Sequence, residues 1–193
     1  MILSVDPSIN LCGVALTKLD GKNVVCLGTK LINVSSRVRH NDREREVERN
    51  WGRRYLQISR ISNEINNFLD EMGVKKELTG ITVESPFFMP GKPNAFGPLI
   101  EVLFGITSFV GVPRNIPVNT FSPMEVKAHF SKKSNASKSE MRTALEILAK
   151  TKEVIIDPKI IKDLSEHEVD AIAVGYCHWF PTIRKICEQE NSQ

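Results

Sequence analysis

Met1-Ile-Leu-Ser-Val-Asp6, Leu11-Cys-Gly-Val-Ala-Leu-Thr-Lys-Leu19 and Asn23-Val-Val-Cys-Leu-Gly-Thr-Lys-Leu-Ile-Asn33 decide the architecture. All three runs are rich in β-branched and apolar residues. Asp20-Gly21 between the second and third is a strong two-residue hairpin signal. The chain therefore opens as an antiparallel meander whose first strand ends on a carboxylate. Carboxylates are almost never fully buried unless paired, so an Asp closing an apolar strand asks for a partner or a ligand.

Working outward, residues 34–45 are polar and irregular and, with residues 189–193, are the candidates for disorder. Helical spacing of apolar residues follows over 46–72, through Val47, Trp51, Leu56, Ile61, Ile65, Phe68 and Met72, with Gly73 as the stop. Residues 78–84 read as a fourth strand, closing on a second carboxylate in Gly80-Ile-Thr-Val-Glu84. A loop rich in Pro, Gly and Phe spans 85–97. Residues 98–111 resume helical spacing and are apolar on nearly all sides, as in a buried helix or one shared with another subunit. A short strand is expected over 115–119. Ser122 with Glu125, and Ser165 with Glu168, each make a capping box. These start helices at 123 and at 165–188, with a further helix over 138–149. The order predicts one α/β domain over residues 1–193: a five-stranded mixed sheet, three strands antiparallel and then two parallel, with helices on both faces.

A length of 193 residues supports a full hydrophobic core, and a formal net charge of +3 argues only weakly for an anionic partner. No apolar run is expected to approach the roughly 18–20 residues that span a bilayer. The N-terminus reads as a strand, without the basic start and cleavage site of a signal peptide, so the expected location is cytoplasmic. Cys12, Cys26, Cys177 and Cys187 match no zinc spacing and read as small hydrophobes.

Asp6, Glu84, His167 and Asp170 are the chemically suggestive set. His167 and Asp170 are three residues apart and share a helix face. If the first and fourth strands pair, Asp6 and Glu84 become neighbours, and the four side chains suit hard cations such as Mg²⁺. Each alone has an ordinary reading as turn former, helix cap, dipole partner or exposed first-turn residue. Only the joint pattern is specific. Two basic stretches accompany it. Seven arginines between Arg37 and Arg54 alternate with acids, the usual mark of a solvated helix face. Lys127, His129, Lys132, Lys133, Lys138 and Arg142 have fewer acids among them and are favoured for phosphate binding.

Val5-Asp6-Pro7-Ser8 through Gly13-Val14-Ala15, Val83-Glu84-Ser85-Pro86-Phe87, and His167-Glu-Val-Asp170-Ala171-Ile-Ala173 resemble, in the same order, the RuvC-type Holliday junction resolvases of the RNase H-like superfamily, phage or viral members most closely. The resemblance implies an RNase H-like fold and a tetrad of Asp6, Glu84, His167 and Asp170 holding two Mg²⁺ ions, with Mn²⁺ able to substitute. Many family members carry Asp where His167 stands and some carry His, so its role stays open between metal ligand and water-activating base. Ser8 departs from the glycine usual after Asp-Pro. The family's two functional lysines map to Lys127 and Lys138, with Lys132 and Lys133 competing for the second place. Phe87 and Phe88 match a wedge that unstacks bases at the junction centre, Phe87 being the expected DNA-facing one.

The resemblance further implies a homodimer that nicks two like-polarity strands of a four-way or branched DNA, in the cytoplasm of a bacterial or phage-infected cell, with no membrane or nucleotide cofactor involved. An RNase H-like nuclease acting on RNA–DNA hybrids or general branched DNA is the alternative. An actin-like ATP-binding protein is the more distant one; it needs a glycine-rich phosphate loop that Pro7-Ser8-Ile9-Asn10 does not supply.

Overall fold

A computed structural model describes residues 1–35, 41–74, 77–87 and 93–190. Strand β1 (Ile2–Asp6) lies within a six-stranded sheet. It pairs antiparallel with β2 (Leu11–Asp20) and parallel with β4 (Gly80–Glu84), while β2 continues antiparallel into β3 (Asn23–Asn33). The parallel half ends with β5 (Val118–Phe121) beside β4. The expected first-to-fourth strand pairing is therefore present. The sixth strand, β6 (Val154–Ile155), adds parallel to β3 and corrects the expected count of five.

The period-two alternation of strand side chains sorts the core into two layers. Leu3, Val5, Val14, Leu16, Ile81 and Val83 pack with Ile61, Ile65 and Leu69 of α2 (Arg53–Glu71) and Val102 and Ile106 of α3 (Pro93–Ile106). On the opposite face lie α4 (Pro123–Ser131), α5 (Lys138–Lys150), the short α6 (Pro158–Ile161) and α7 (Glu166–Glu190). Small side chains let α7 lie close to the sheet. A Cβ on Gly175 would come within 2.9 Å of both Ser4 and Thr17. His178 Nδ1 lies 3.0 Å from Thr82 Oγ1, and Trp179 Nε1 donates to Thr17 Oγ1 at 3.2 Å.

Several element boundaries differ from the sequence reading. The expected helix over 46–72 is two, α1 (Asp42–Trp51) and α2, broken where Gly52 adopts φ 85°, ψ 160°, a backbone state open to glycine and closed to a helix. Helix α1 also runs into the stretch expected to be irregular, because Asn41 and Glu44 form a capping box with both bonds at 2.9 Å. Residues 36–40 of that stretch, and 191–193 of the expected disordered tail, lie outside the described residues, while Glu190 is helical. Helix α3 starts at Pro93 inside the expected loop. Strand β5 begins three residues late because Asn115 is left-handed, at φ 54°.

After α3 the chain continues through a π-helical turn (Thr107–Gly111) and a 3₁₀ turn (Val112–Arg114). Phe96–Arg114 is thereby long and apolar enough to cross a membrane by length and composition, contrary to the expectation that no run would be. One side of it, carrying Val102, Ile106 and Val110, packs into the core. The other leaves Ile100, Phe104, Phe109 and Val112 exposed, Phe104 to 70% and Val112 to 68%.

Candidate active site

Strands β1 and β4 run parallel with Val5 opposite Val83, so Asp6 and Glu84 occupy adjacent strand ends. Alternation turns Leu3, Val5, Ile81 and Val83 toward α2 and α3, which leaves Asp6 and Glu84 on the α7 face. Asp6 is 8% exposed. The first turn of α7 descends onto this pair. His167 Nδ1 lies 2.6 Å from Asp6 Oδ2, and Asp170, one turn on, adds a third carboxylate to the same electrostatic neighbourhood.

Three braces fix that first turn. Glu168 Oε2 accepts from the Ser165 N–H at 2.9 Å and hydroxyl at 2.7 Å, completing the capping box. Its other oxygen accepts from Thr29 Oγ1 on β3 at 2.8 Å. Arg142 donates to the carbonyls of Ile161 and Leu164 at 2.6 Å each, holding the approach to the helix. Gly13, opposite Asp6 on β2, is what permits the contact: a Cβ there would lie 2.0 Å from the His167 carbonyl oxygen. The sequence reading named Gly13 only within the family resemblance, without a role, and passed over Thr29 and Glu168's link to the sheet. An isolated glycine inside a strand, a general sign of close backbone approach, was the available signal for the first.

Burial pushes Glu84 from 4.5 to about 8, with repulsion from Asp6 and Asp170 adding to it and Lys127 opposing. Burial likewise raises Asp170 from 3.8 to about 6; Asp6 adds to the shift, and Lys138, His167 and Lys127 oppose it. The bond to Asp6 raises His167, against desolvation. All six residues expected in the centre thus share one field. Among the described residues, no three His, Cys, Asp or Glu side chains already form a cage around a single cation position. The donor chemistry nonetheless fits a hard dication, because Asp6, Glu84 and Asp170 gather as carboxylates whose mutual repulsion, which helps to raise Glu84 and Asp170, a divalent ion would relieve.

These shifts set a pH dependence of stability. Glu84, Asp170 and His167 each hold their proton more tightly folded than unfolded. The resulting stabilisation is complete below about pH 4 and is lost as pH rises through about 6 for Asp170 and about 8 for Glu84. In EDTA the melting temperature should therefore fall between pH 5 and pH 9. Ten-millimolar-range Mg²⁺ should recover roughly 4–8 °C at pH 8, what about 2 kcal/mol gives a domain of this size. Glu84→Gln should flatten both responses in thermal melts. A profile that rises with pH, or an unchanged Mg²⁺ response in the variant, would remove Glu84 from the site.

The expected DNA-contact residues divide. Phe87 is 47% exposed, three residues beyond Glu84, while Phe88 lies outside the described residues. Lys127 and Lys138 reach the acidic centre electrostatically, and Lys138 is ion-paired with Glu166. Lys133 pairs with Glu140 at 2.6 Å, and Lys132 lies over the Phe180 ring while donating to the His129 carbonyl. Arg142 is committed to backbone carbonyls, which makes it a brace for α7 in place of the free phosphate contact expected.

No protein-family model matches the chain. The crossover junction endodeoxyribonuclease RuvC of Pseudothermotoga lettingae is 24% identical over 178 residues, covering 92% of this chain and 93% of that one. The RuvC of Porphyromonas gingivalis is 23% identical over 182 residues, covering 94% and 82%. The fold is similar to that of T. thermophilus RuvC in complex with a Holliday junction substrate, with a TM-score of 0.69, 17% identity and 96% of each chain covered. The yeast mitochondrial Holliday junction resolvase Ydc2 gives a TM-score of 0.62 at 13% identity, covering 97% of this chain and 83% of that one. Over more than nine-tenths of its length this chain is thus similar in sequence to RuvC crossover junction endodeoxyribonucleases, and its fold is similar to those of RuvC and Ydc2.

Proposed function

We propose that the chain is a divalent-cation-dependent endonuclease that resolves four-way DNA junctions by paired nicks. The observation that carries this reading is the gathering of Asp6, Glu84 and Asp170 around the His167–Asp6 bond at the ends of two adjacent parallel strands. The names of its relatives, all crossover junction endodeoxyribonucleases, supply the substrate class. Asp6, Glu84 and Asp170 would hold two Mg²⁺ ions, or Mn²⁺ in their place, which supply an activated water and charge neutralisation at the phosphodiester. Asp6 occupies His167 Nδ1, so proton transfer by this ring would run through Nε2. Lys127 and Lys138 bring positive charge to the same centre. Phe87, exposed beside it, has the apolar character of a base-step wedge.

Two like strands of a four-way junction call for two centres related by a two-fold axis. The exposed apolar side of α3 and its π-helical turn, with Ile100, Phe104 and Phe109, is the surface proposed to join two copies. Phe104→Glu is expected to shift the protein from dimer to monomer in light scattering and to uncouple the paired nicks. A wild type that is already monomeric on the junction would sink the dimer.

The reading is tested by mapping nicks on a synthetic four-way junction in Mg²⁺, with flap and RNA–DNA hybrid substrates alongside. Symmetric nicks on the junction are expected; equal cutting of the hybrid would overturn junction selectivity.

A further inference from the structure

Five of the six basic residues first favoured for phosphate contact, all but Lys127, are engaged within the fold, so part of the DNA hold must come from elsewhere. The arginine run set aside as a solvated face supplies a candidate. After the break at Gly52, Arg53 and Arg54 line an open cavity of about 380 Å³ with Ile9, Asn10 and Gln57. Gln57 Nε2 donates to the Ile9 carbonyl at 3.3 Å and to Asn10 Oδ1 at 3.2 Å, and the Val34 N–H donates to the Asn10 carbonyl at 2.9 Å. The loop that follows Asp6 is thereby stitched to α2 and to the end of β3. Arg53 has no ionic partner among the described residues. Arg54 has one loose pair, with Glu101 at 3.4 Å, and both of those side chains are about half exposed. Among the described residues, no carboxylate lines the cavity.

We infer that this cavity binds a phosphodiester of the DNA backbone away from the scissile one. The inference rests on the nuclease reading above and deepens it. Guanidinium forks suit phosphate oxygens, and pairing Gln57 Nε2 with the side-chain oxygen Oδ1 of Asn10 leaves the Asn10 side-chain N–H groups as further donors. Asn10 is four residues from Asp6, so the site lies within about 14 Å of it along the chain. At roughly 3.4 Å of rise per nucleotide, the bound phosphate is about four nucleotides or fewer from the cut.

The test is junction binding by fluorescence anisotropy in Ca²⁺, across a series of salt concentrations. Arg53→Gln/Arg54→Gln should weaken binding about 10-fold and make the slope of log K against log salt shallower by about 1–2. Lys150→Gln/Lys159→Gln, the same change of charge on exposed residues of α5 and α6, should leave the slope unchanged. Replacing chloride with inorganic phosphate at equal ionic strength, with EDTA in place of Ca²⁺ in both arms, should not compete. If the wild type binds no junction, the nuclease reading fails. If the wild type binds and the arginine variant matches it, the lysine control loses as much, or free phosphate competes fully, the cavity assignment is overturned while the nuclease reading stands.

Discussion

Asp6→Asn is expected to lower junction nicking in Mg²⁺ by about 10³-fold or more while leaving junction affinity in Ca²⁺ within about twofold. Asp6 acts on each of the other three members of the tetrad: it hydrogen-bonds His167 and raises both Glu84 and Asp170 by repulsion. Asparagine keeps an oxygen for His167 and keeps the volume, so the fold and the DNA surface should persist. What is lost is the anionic oxygen. Transition-state stabilisation by bound metal amounts to several kcal/mol, and about 4 kcal/mol corresponds to the stated factor. The same variant should lower Glu84 and Asp170 part of the way toward ordinary carboxylate behaviour, because the repulsion from Asp6 is gone while the larger effect of burial remains. Single-turnover nicking with separate binding curves distinguishes the outcomes. Nicking within tenfold of wild type would take Asp6 out of the chemistry. Loss of binding in step with loss of nicking would assign it to DNA holding instead.

Much of this centre was legible because its parts are local. Alternation in Ile2–Asp6 and Gly80–Glu84 states which residues end a strand, and the Ser165–Glu168 box states where α7 begins, so His167 and Asp170 fall in its first turn. What stayed hidden depends on partners distant in the chain. Val154–Ile155 is too short to carry a period, and only its pairing with β3 makes it a strand. A glycine inside a helical pattern is usually tolerated; that Gly52 ends α1 is a fact of its φ and ψ. Lys133, Lys138 and Arg142 read as free cations in a polar stretch, yet Glu140, Glu166 and two backbone carbonyls claim them. Basic composition announces affinity for anions without saying which anions the fold itself provides. The same ambiguity explains how the Arg53–Arg54 pair was set aside: it closes a run of arginines that alternates with acids as far as Glu48, whereas Asn10, distant in the chain, lies beside it in space.

Gly13→Ala should be the most damaging single methyl that can be added to the α7 face. The new Cβ would stand 2.0 Å from the His167 carbonyl oxygen, 2.3 Å from its carbon and 2.9 Å from the Glu168 nitrogen. All three are backbone atoms, so no rotamer change relieves the contact. The first turn of α7 must retreat, yet it is held by the Ser165 box, by Thr29 on Glu168 and by Arg142 on the preceding carbonyls. Retreat also lengthens the 2.6 Å bond between His167 and Asp6. Overpacking commonly costs about 1–3 kcal/mol, and a clash with pinned backbone belongs at or above the top of that range. That predicts a fall in melting temperature of roughly 6–12 °C. A displacement of about 1 Å at a reacting group costs on the order of 10²-fold in rate, so nicking by the folded fraction should drop at least that far. Gly175→Ala is the matched comparison on the same helix. Its Cβ meets only side-chain atoms of Ser4 and Thr17, at 2.9 Å, and these can rotate at the expense of their hydrogen bonds. Its cost should be smaller, with nicking per folded molecule near wild type, because the first turn of α7 does not move. If Gly175→Ala proved the worse of the two in both melting and nicking, close approach at Gly13 would not be what seats His167 on Asp6.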